Sequence, residues 1–152
     1  MATRDEILEA LFAQLQSASF LALGPSGATT WVESSRRLKL FGDVSPDSQP
    51  AMFMTDHSEQ YKQIGRGIPP KRVMMVTVFC YARCDGGLIG STIINNILTA
   101  VEKAISPNDP TANIQNLGNR VYNCWIEGSV LKDPGDLDDQ ALLIVPITVT
   151  WP

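Results

Sequence analysis

The hydrophobic positions of this chain follow two periods, one helical and one extended, and their order along the sequence sets out a fold. From Thr3 to Ser17, residues Ile7, Leu8, Leu11, Phe12 and Leu15 recur at helical spacing and make one apolar stripe. Thr3 and Glu6 stand at the spacing of a capping box, in which hydroxyl and carboxylate satisfy orphan backbone donors reciprocally, so a helix starts there. Its polar side carries Arg4, Asp5, Glu6 and Glu9, not the basic face of a membrane-surface helix. A second helical stripe is Ile93, Ile94, Ile97, Leu98, Val101 and Ile105, with Asn95, Asn96, Glu102 and Lys103 turned away. This helix starts near Leu88 or Ser91, and Ser106-Pro107 ends it because a residue before proline disfavours helix.

The extended period is clearest from Arg72 to Cys84, RVMMVTVFCYARC, a β-branched and aromatic run without Gly or Pro. Met74, Val76, Val78, Cys80 and Ala82 share one face; Val73, Met75, Thr77, Phe79 and Tyr81 share the other. Neither face is polar, so both need cover. The helices cover one, and a partner subunit is expected on the other, where Phe79, Tyr81 and Trp125 would show. Trp31 to Phe41 alternates loosely and reads as a strand, as does Ala51 to Thr55. Two long strands follow the second helix. Val121 to Lys132 puts Tyr122, Cys124, Ile126 and Val130 on one face, with Gly128 as a bulge. Ala141 to Trp151 aligns Leu143, Val145, Ile147 and Val149, and Pro146 implies an edge or a bulge.

Turn chemistry separates these elements at Gly24-Pro25, Gly42 to Pro50, Asp85-Gly86-Gly87, Asn108 to Gly118, and the DPGDLDD run from Asp133 to Asp139. Asp56 to Pro70 reads as a long polar loop whose large apolar groups are Tyr61, Ile64 and Ile68. Its amides from Ser58 to Gly67 are expected to exchange fast until the loop docks. The sum is an α+β fold of two layers: a mainly antiparallel sheet of about five strands with two helices packed on one face, in a single domain over residues 1–152.

Charge and composition narrow the function. A net charge of −4 argues against a general nucleic-acid binder. No apolar run is long enough to span a membrane, and MATRDEILEA lacks the order of a signal peptide. Three cysteines without a close CxxC point to a reducing compartment rather than a disulfide framework. Arg36, Arg37 and Lys39 form what reads as the chain's basic cluster. The residues alone favour charges that keep an edge strand from aggregating; the sharper reading is a subunit-interface anchor.

Catalytic chemistry is sparse. His57 is the single histidine, no GxSxG elbow is present, and Gly65-Arg66-Gly67 lacks the Lys-Ser/Thr of a phosphate loop. The DPGDLDD carboxylates do not keep EF-hand spacing. Cys80, Cys84 and Cys124 leave one rival reading, a small-molecule or metal-binding α+β domain, although buried free cysteine commonly acts as a small apolar residue. No cofactor is expected.

Ser34 to Tyr61, SSRRLKLFGDVSPDSQPAMFMTDHSEQY, resembles the N-terminal half of the tail terminator (tail completion) proteins of long-tailed phages. The family's elements recur in order. They are an Arg-bearing strand at Arg36-Arg37, a D-V-x-P-x-x-Q-P-A-x-F run from Asp43 to Phe53, and a Gly-x-Pro approach at Gly67 to Pro70. An Ile/Leu-rich helix follows at Ile93 to Ile105, then pieces at Leu117 to Gly128, Asp133 to Leu137 and Ala141 to Ile147. Their collinearity over nearly the whole chain carries the resemblance. It implies a non-enzymatic virion protein that caps the tail tube as a hexameric ring, stops polymerisation and joins the tail to the head connector. A neck or head-completion protein is the neighbouring alternative. Partners would be further copies, the tail tube protein and the connector or neck protein. Genomic DNA would pass through the bore without specific binding, and no membrane would be involved. The location would be the tail-neck junction of a virion assembled in the host cytoplasm. Subunit or tube contacts are expected at Arg36, Arg37, Asp43, Glu59, Tyr61, Ile64, Phe79 and Tyr81, with Asp43 and Glu59 as carboxylates for the two arginines across a subunit boundary and Tyr61 and Ile64 as docking anchors.

Overall fold

A computed structural model describes residues 2–22, 27–84, 88–135 and 140–152. Gly24-Pro25, Asp85-Gly86-Gly87 and the greater part of DPGDLDD lie outside the described residues. The first helix, α1 (Arg4–Gln16), carries the capping box: the Thr3 hydroxyl accepts from the Glu6 N–H, and the Glu6 carboxylate accepts from the Thr3 N–H at 2.7 Å. Ile7, Leu8, Leu11 and Leu15 are buried, and Phe12 packs at the margin. The second helix, α2 (Gly90–Ala104), buries Ile93, Ile94, Ile97 and Val101. Gly90 at its start has a local cause, since a Cβ there would lie 1.8 Å from the Pro134 carbonyl oxygen. The Gln14 amide of α1 reaches the Ala104 carbonyl at 2.8 Å, tying the helices together.

Among the described residues, six strands form one mixed, mostly antiparallel sheet: β1 (Glu33–Ser35), β2 (Ala51–Lys62), β3 (Lys71–Arg83), β4 (Asn123–Ile126), β5 (Leu131–Asp133) and β6 (Gln140–Trp151). Their order is β1-β2-β3-β6-β4, with β5 also on β6. Both helices pack on one face, and the core lies between them and Met52, Met54, Met74, Val76, Val78, Cys80, Leu143, Val145, Ile147 and Val149. The fold is therefore the two-layer α+β class the periodicities imply, with helices segregated to one side.

Four local expectations change. Trp31 to Phe41 is not one strand; only Glu33–Ser35 pairs, parallel to Ala51–Phe53. A parallel pair needs a crossover, and residues 36–50 supply it, which takes them out of the sheet. Asp56 to Lys62 is not loop but the distal half of β2, paired with β3 from Asp56↔Val76 to Lys62↔Lys71. A bulge at His57 shifts the register, so polar residues that break simple alternation still belong to the ladder. Only 63–70 turns. Third, Val121 to Lys132 splits into β4 and β5 around Gly128, whose φ of +101° suits glycine, and Tyr122 falls outside both and is exposed. Fourth, Pro146 lies on an interior strand. The Glu127 N–H donates to its carbonyl at 3.2 Å, so Pro146 presents its donor-less side to the break between β4 and β5. No ladder bond to β3 is lost.

Candidate assembly surface

The side of the sheet away from the helices is formed by alternate residues of β3 and β6. The crossover covers one end of it. Phe41 meets Tyr81 edge-on with ring centres 5.3 Å apart, Phe53 lies 5.5 Å from Tyr81, and Val44 closes a small second core. The Tyr81 hydroxyl donates to the Lys39 carbonyl at 2.7 Å. Tyr81 is thus 4% exposed and under its own chain, not on an open face. Phe79 is half-buried at the border of this cluster. Beyond the crossover, Val73 and Met75 of β3, Ile144 and Pro146 of β6 and Trp125 of β4 stay half-buried on the side that carries no helix. The register puts Thr77 beside Pro146 and Trp125 beside Thr148. This is a contiguous, mainly apolar strip whose cover the described residues do not complete.

The charged candidates divide. Arg36 donates to Glu9 at 2.6 Å and to Asp5 at 3.4 Å, so it clamps the crossover's start to α1 within the subunit. The hydrogen bond to Glu9 raises its guanidinium pKa. Glu59 accepts from Arg4 at 2.6 Å, and Arg4 also donates to the Tyr61 hydroxyl at 2.6 Å. Arg36 and Glu59 therefore meet intrachain partners rather than each other. The Arg37 side chain is exposed and has no ion-pair partner among the described residues; Lys39 pairs with Glu33. Asp43 sits exposed in a short 3-10 turn, Phe41–Asp43, beside a shallow depression lined by Arg37, Leu38, Lys39 and Leu40. Tyr61 and Ile64 are 60% and 62% exposed at the far end of the β2–β3 hairpin.

That hairpin also corrects the charge map. Lys62 and Lys71 face each other at its end, Arg66 lies in its turn, and Arg72 follows. This second basic group, of four residues, is larger than the first, of three, and its signal was present in the chain as an acid-free run from Gln60 to Cys84. Reading the stretch as loop hid it, because only strand pairing brings Lys62 to Lys71.

The cysteines do not form a site. Cys80 pairs with Leu143 and Cys124 with Val149, six positions apart along β6. That is roughly 20 Å of strand, and Cys84 lies about 13 Å beyond Cys80 in the other direction. Burial alone pushes the Cys80 thiol far above its usual pKa and the Cys124 thiol up to about 12, so neither offers a thiolate. His57 stands at the bulge with Nδ1 3.1 Å from the Thr77 hydroxyl. Among the described residues no three His, Cys, Asp or Glu side chains gather as a metal group, and no helix is long and apolar enough to cross a membrane.

These features define a class: a two-layer α+β protein with helices on one face of its sheet and, on the other, an apolar strip only partly covered by its own crossover. No family model matches the chain, and no curated protein matches it. Among solved structures, its fold is similar to that of a chain in the virion of a native gene transfer agent (GTA) particle, with a TM-score of 0.52. The likeness covers 93% of this chain and 91% of that one at 12% sequence identity, and is one of fold.

Proposed function

We propose that this protein is a structural component of a phage or phage-like virion. More specifically, it caps the end of the tail tube as a ring, ends tube growth and joins the tail to the head connector. The observation that carries the reading is the likeness of fold, over 93% of its length, to a chain of a virion particle. The collinear resemblance to tail terminators supports the particular place in the virion. The sheet adds a physical reason. Identical subunits in a closed ring touch through two different surfaces, and the strip of Val73, Met75, Ile144, Pro146 and Trp125 offers one that a monomer leaves half-exposed. Arg37, Asp43, Ile64 and Phe79 remain accessible for subunit or tube contacts, whereas Arg36, Glu59 and Tyr61 reach such contacts only by sharing intrachain partners. The work is mechanical rather than catalytic, in a ring of six at the tail-neck junction. The tube protein and the connector are its neighbours.

Deleting the gene from its particle and imaging the products tests this. Tails of excessive and variable length, without heads, are expected, and added protein should restore joining. Tails of normal length bearing heads would overturn the reading. Normal tails beside heads that lose their DNA would move the protein to the neck.

A further inference from the structure

The far end of the β2–β3 hairpin combines charge and apolar surface in a way the single subunit does not use. Lys62, Arg66, Lys71 and Arg72 lie within it, and no acidic residue occurs from Gln60 to Cys84. The chain has 12 basic and 16 acidic residues; setting these four aside leaves eight basic against sixteen acidic. Lys62 and Lys71 are direct cross-strand partners, an arrangement of like charges that opposes pairing. Ile64 and Ile68 are 62% and 51% exposed. Ile64, Pro69, Pro70, Lys71, Tyr122 and Pro152 line an open cleft of about 470 Å³. Arg72 is anchored, donating to the Pro152 carbonyl and stacking 5.2 Å from the centre of the Trp151 ring. It therefore stiffens the base of this end.

Opposed lysines and exposed isoleucines are both unfavourable in an isolated subunit. An acidic surface that offers an apolar side chain relieves both. Nucleic acid suits the cleft poorly, because its walls are rich in proline and carry a single aromatic ring, Tyr122, rather than a row of stacking platforms. We propose that the hairpin end docks on the acidic body of a second copy of this chain, a head-to-tail contact. The charge balance selects the occupant, because everything outside the hairpin end is twice as rich in acid as in base. A contact between two different surfaces repeats from copy to copy and closes when the rotation allows. The inference shares with the ring reading the premise that copies meet, and it adds which surface meets which.

Sedimentation velocity of the full chain across a salt series is the test. The native protein should associate at low salt and dissociate as salt rises. The triple variant K62E/R66E/K71E should remain monomeric at a concentration where the native protein associates, with unchanged circular dichroism and melting. Ile64→Asp should also weaken association, and K62R/K71R should preserve it. A native protein that is monomeric at every salt concentration overturns the proposal, as does a triple variant that associates like the native chain. Duplex DNA bound at the hairpin end in place of a second copy overturns it too. Association that follows the expected pattern while the deletion leaves tails normal keeps this contact and removes the tail-capping role. The opposite pair of results removes the contact alone.

Discussion

At the scale of residues, Thr3 and Glu6 fix where the chain first becomes helical. The Glu6 carboxyl titrates below its usual 4.5 because it accepts the Thr3 backbone N–H and is bonded to the Thr3 side chain as well. A carboxyl with a lowered folded pKa adds stability above its unfolded pKa and loses it as pH falls through the folded value. Glu6→Ala should therefore be less stable than the native protein at pH 7, and at a pH well under 4.5, once the lowered folded value has been passed, the gap should close because the carboxyl is protonated or absent in both. Thr3→Ala should cost about 1 kcal/mol at neutral pH. Urea denaturation at the two pH values checks both. Equal stability of Glu6→Ala and the native protein at pH 7 would show that the cap contributes nothing.

At the scale of elements, the β2–β3 hairpin is the feature on which the reading of the molecule turns. Its distal half was expected to be a polar loop that orders only on docking. The ladder from Ser58↔Met75 to Lys62↔Lys71 makes it strand, and the Arg4 bonds to Glu59 and Tyr61 brace it against α1. Fast amide exchange across Ser58 to Gly67 is accordingly not the expectation for the folded chain. Amides of Ser58 to Lys62 that point at β3 should be protected in the free protein, those on the outer edge of β2 should exchange quickly, and the turn at 63–70 should exchange fastest. Hydrogen exchange of the isolated protein decides this. Uniformly fast exchange through Lys62 would restore the loop and weaken the case for a stiff docking element.

At the scale of the whole molecule, charge sets which polymers this surface can hold. The net charge is −4, and the hairpin's bases are offset by carboxylates distributed over the remaining chain. Binding that depends on phosphates needs several cations on one face, and its strength falls steeply with salt. The protein should show no measurable affinity for duplex DNA at physiological salt, which the proposed ring, with a genome passing through it, would require. Gel shift or fluorescence anisotropy with random-sequence duplex tests it, and salt-sensitive binding below about a micromolar would contradict it.

The two helices, the cap at Thr3, the central strand and the apolar faces of β3 and β6 were legible in the sequence because each depends on local period and local hydrogen bonding. The α+β class followed from their order. Of the expected contact residues, Ile64 is exposed and Phe79 half-buried. The burial of Tyr81 was not legible, since its cover is a parallel crossover that returns from β1 to β2 over the sheet, and no local pattern encodes that return. Arg36 and Glu59 found partners 27 and 55 positions away on α1, contacts that only packing creates. The cysteines all lie in the main core, but strand register keeps them apart, which spacing along the chain does not reveal. The sequence determined which segments bury apolar faces and how they wind. The tertiary structure decided which surface is left over, because that depends on where a returning chain lies and on which charges meet across the sheet.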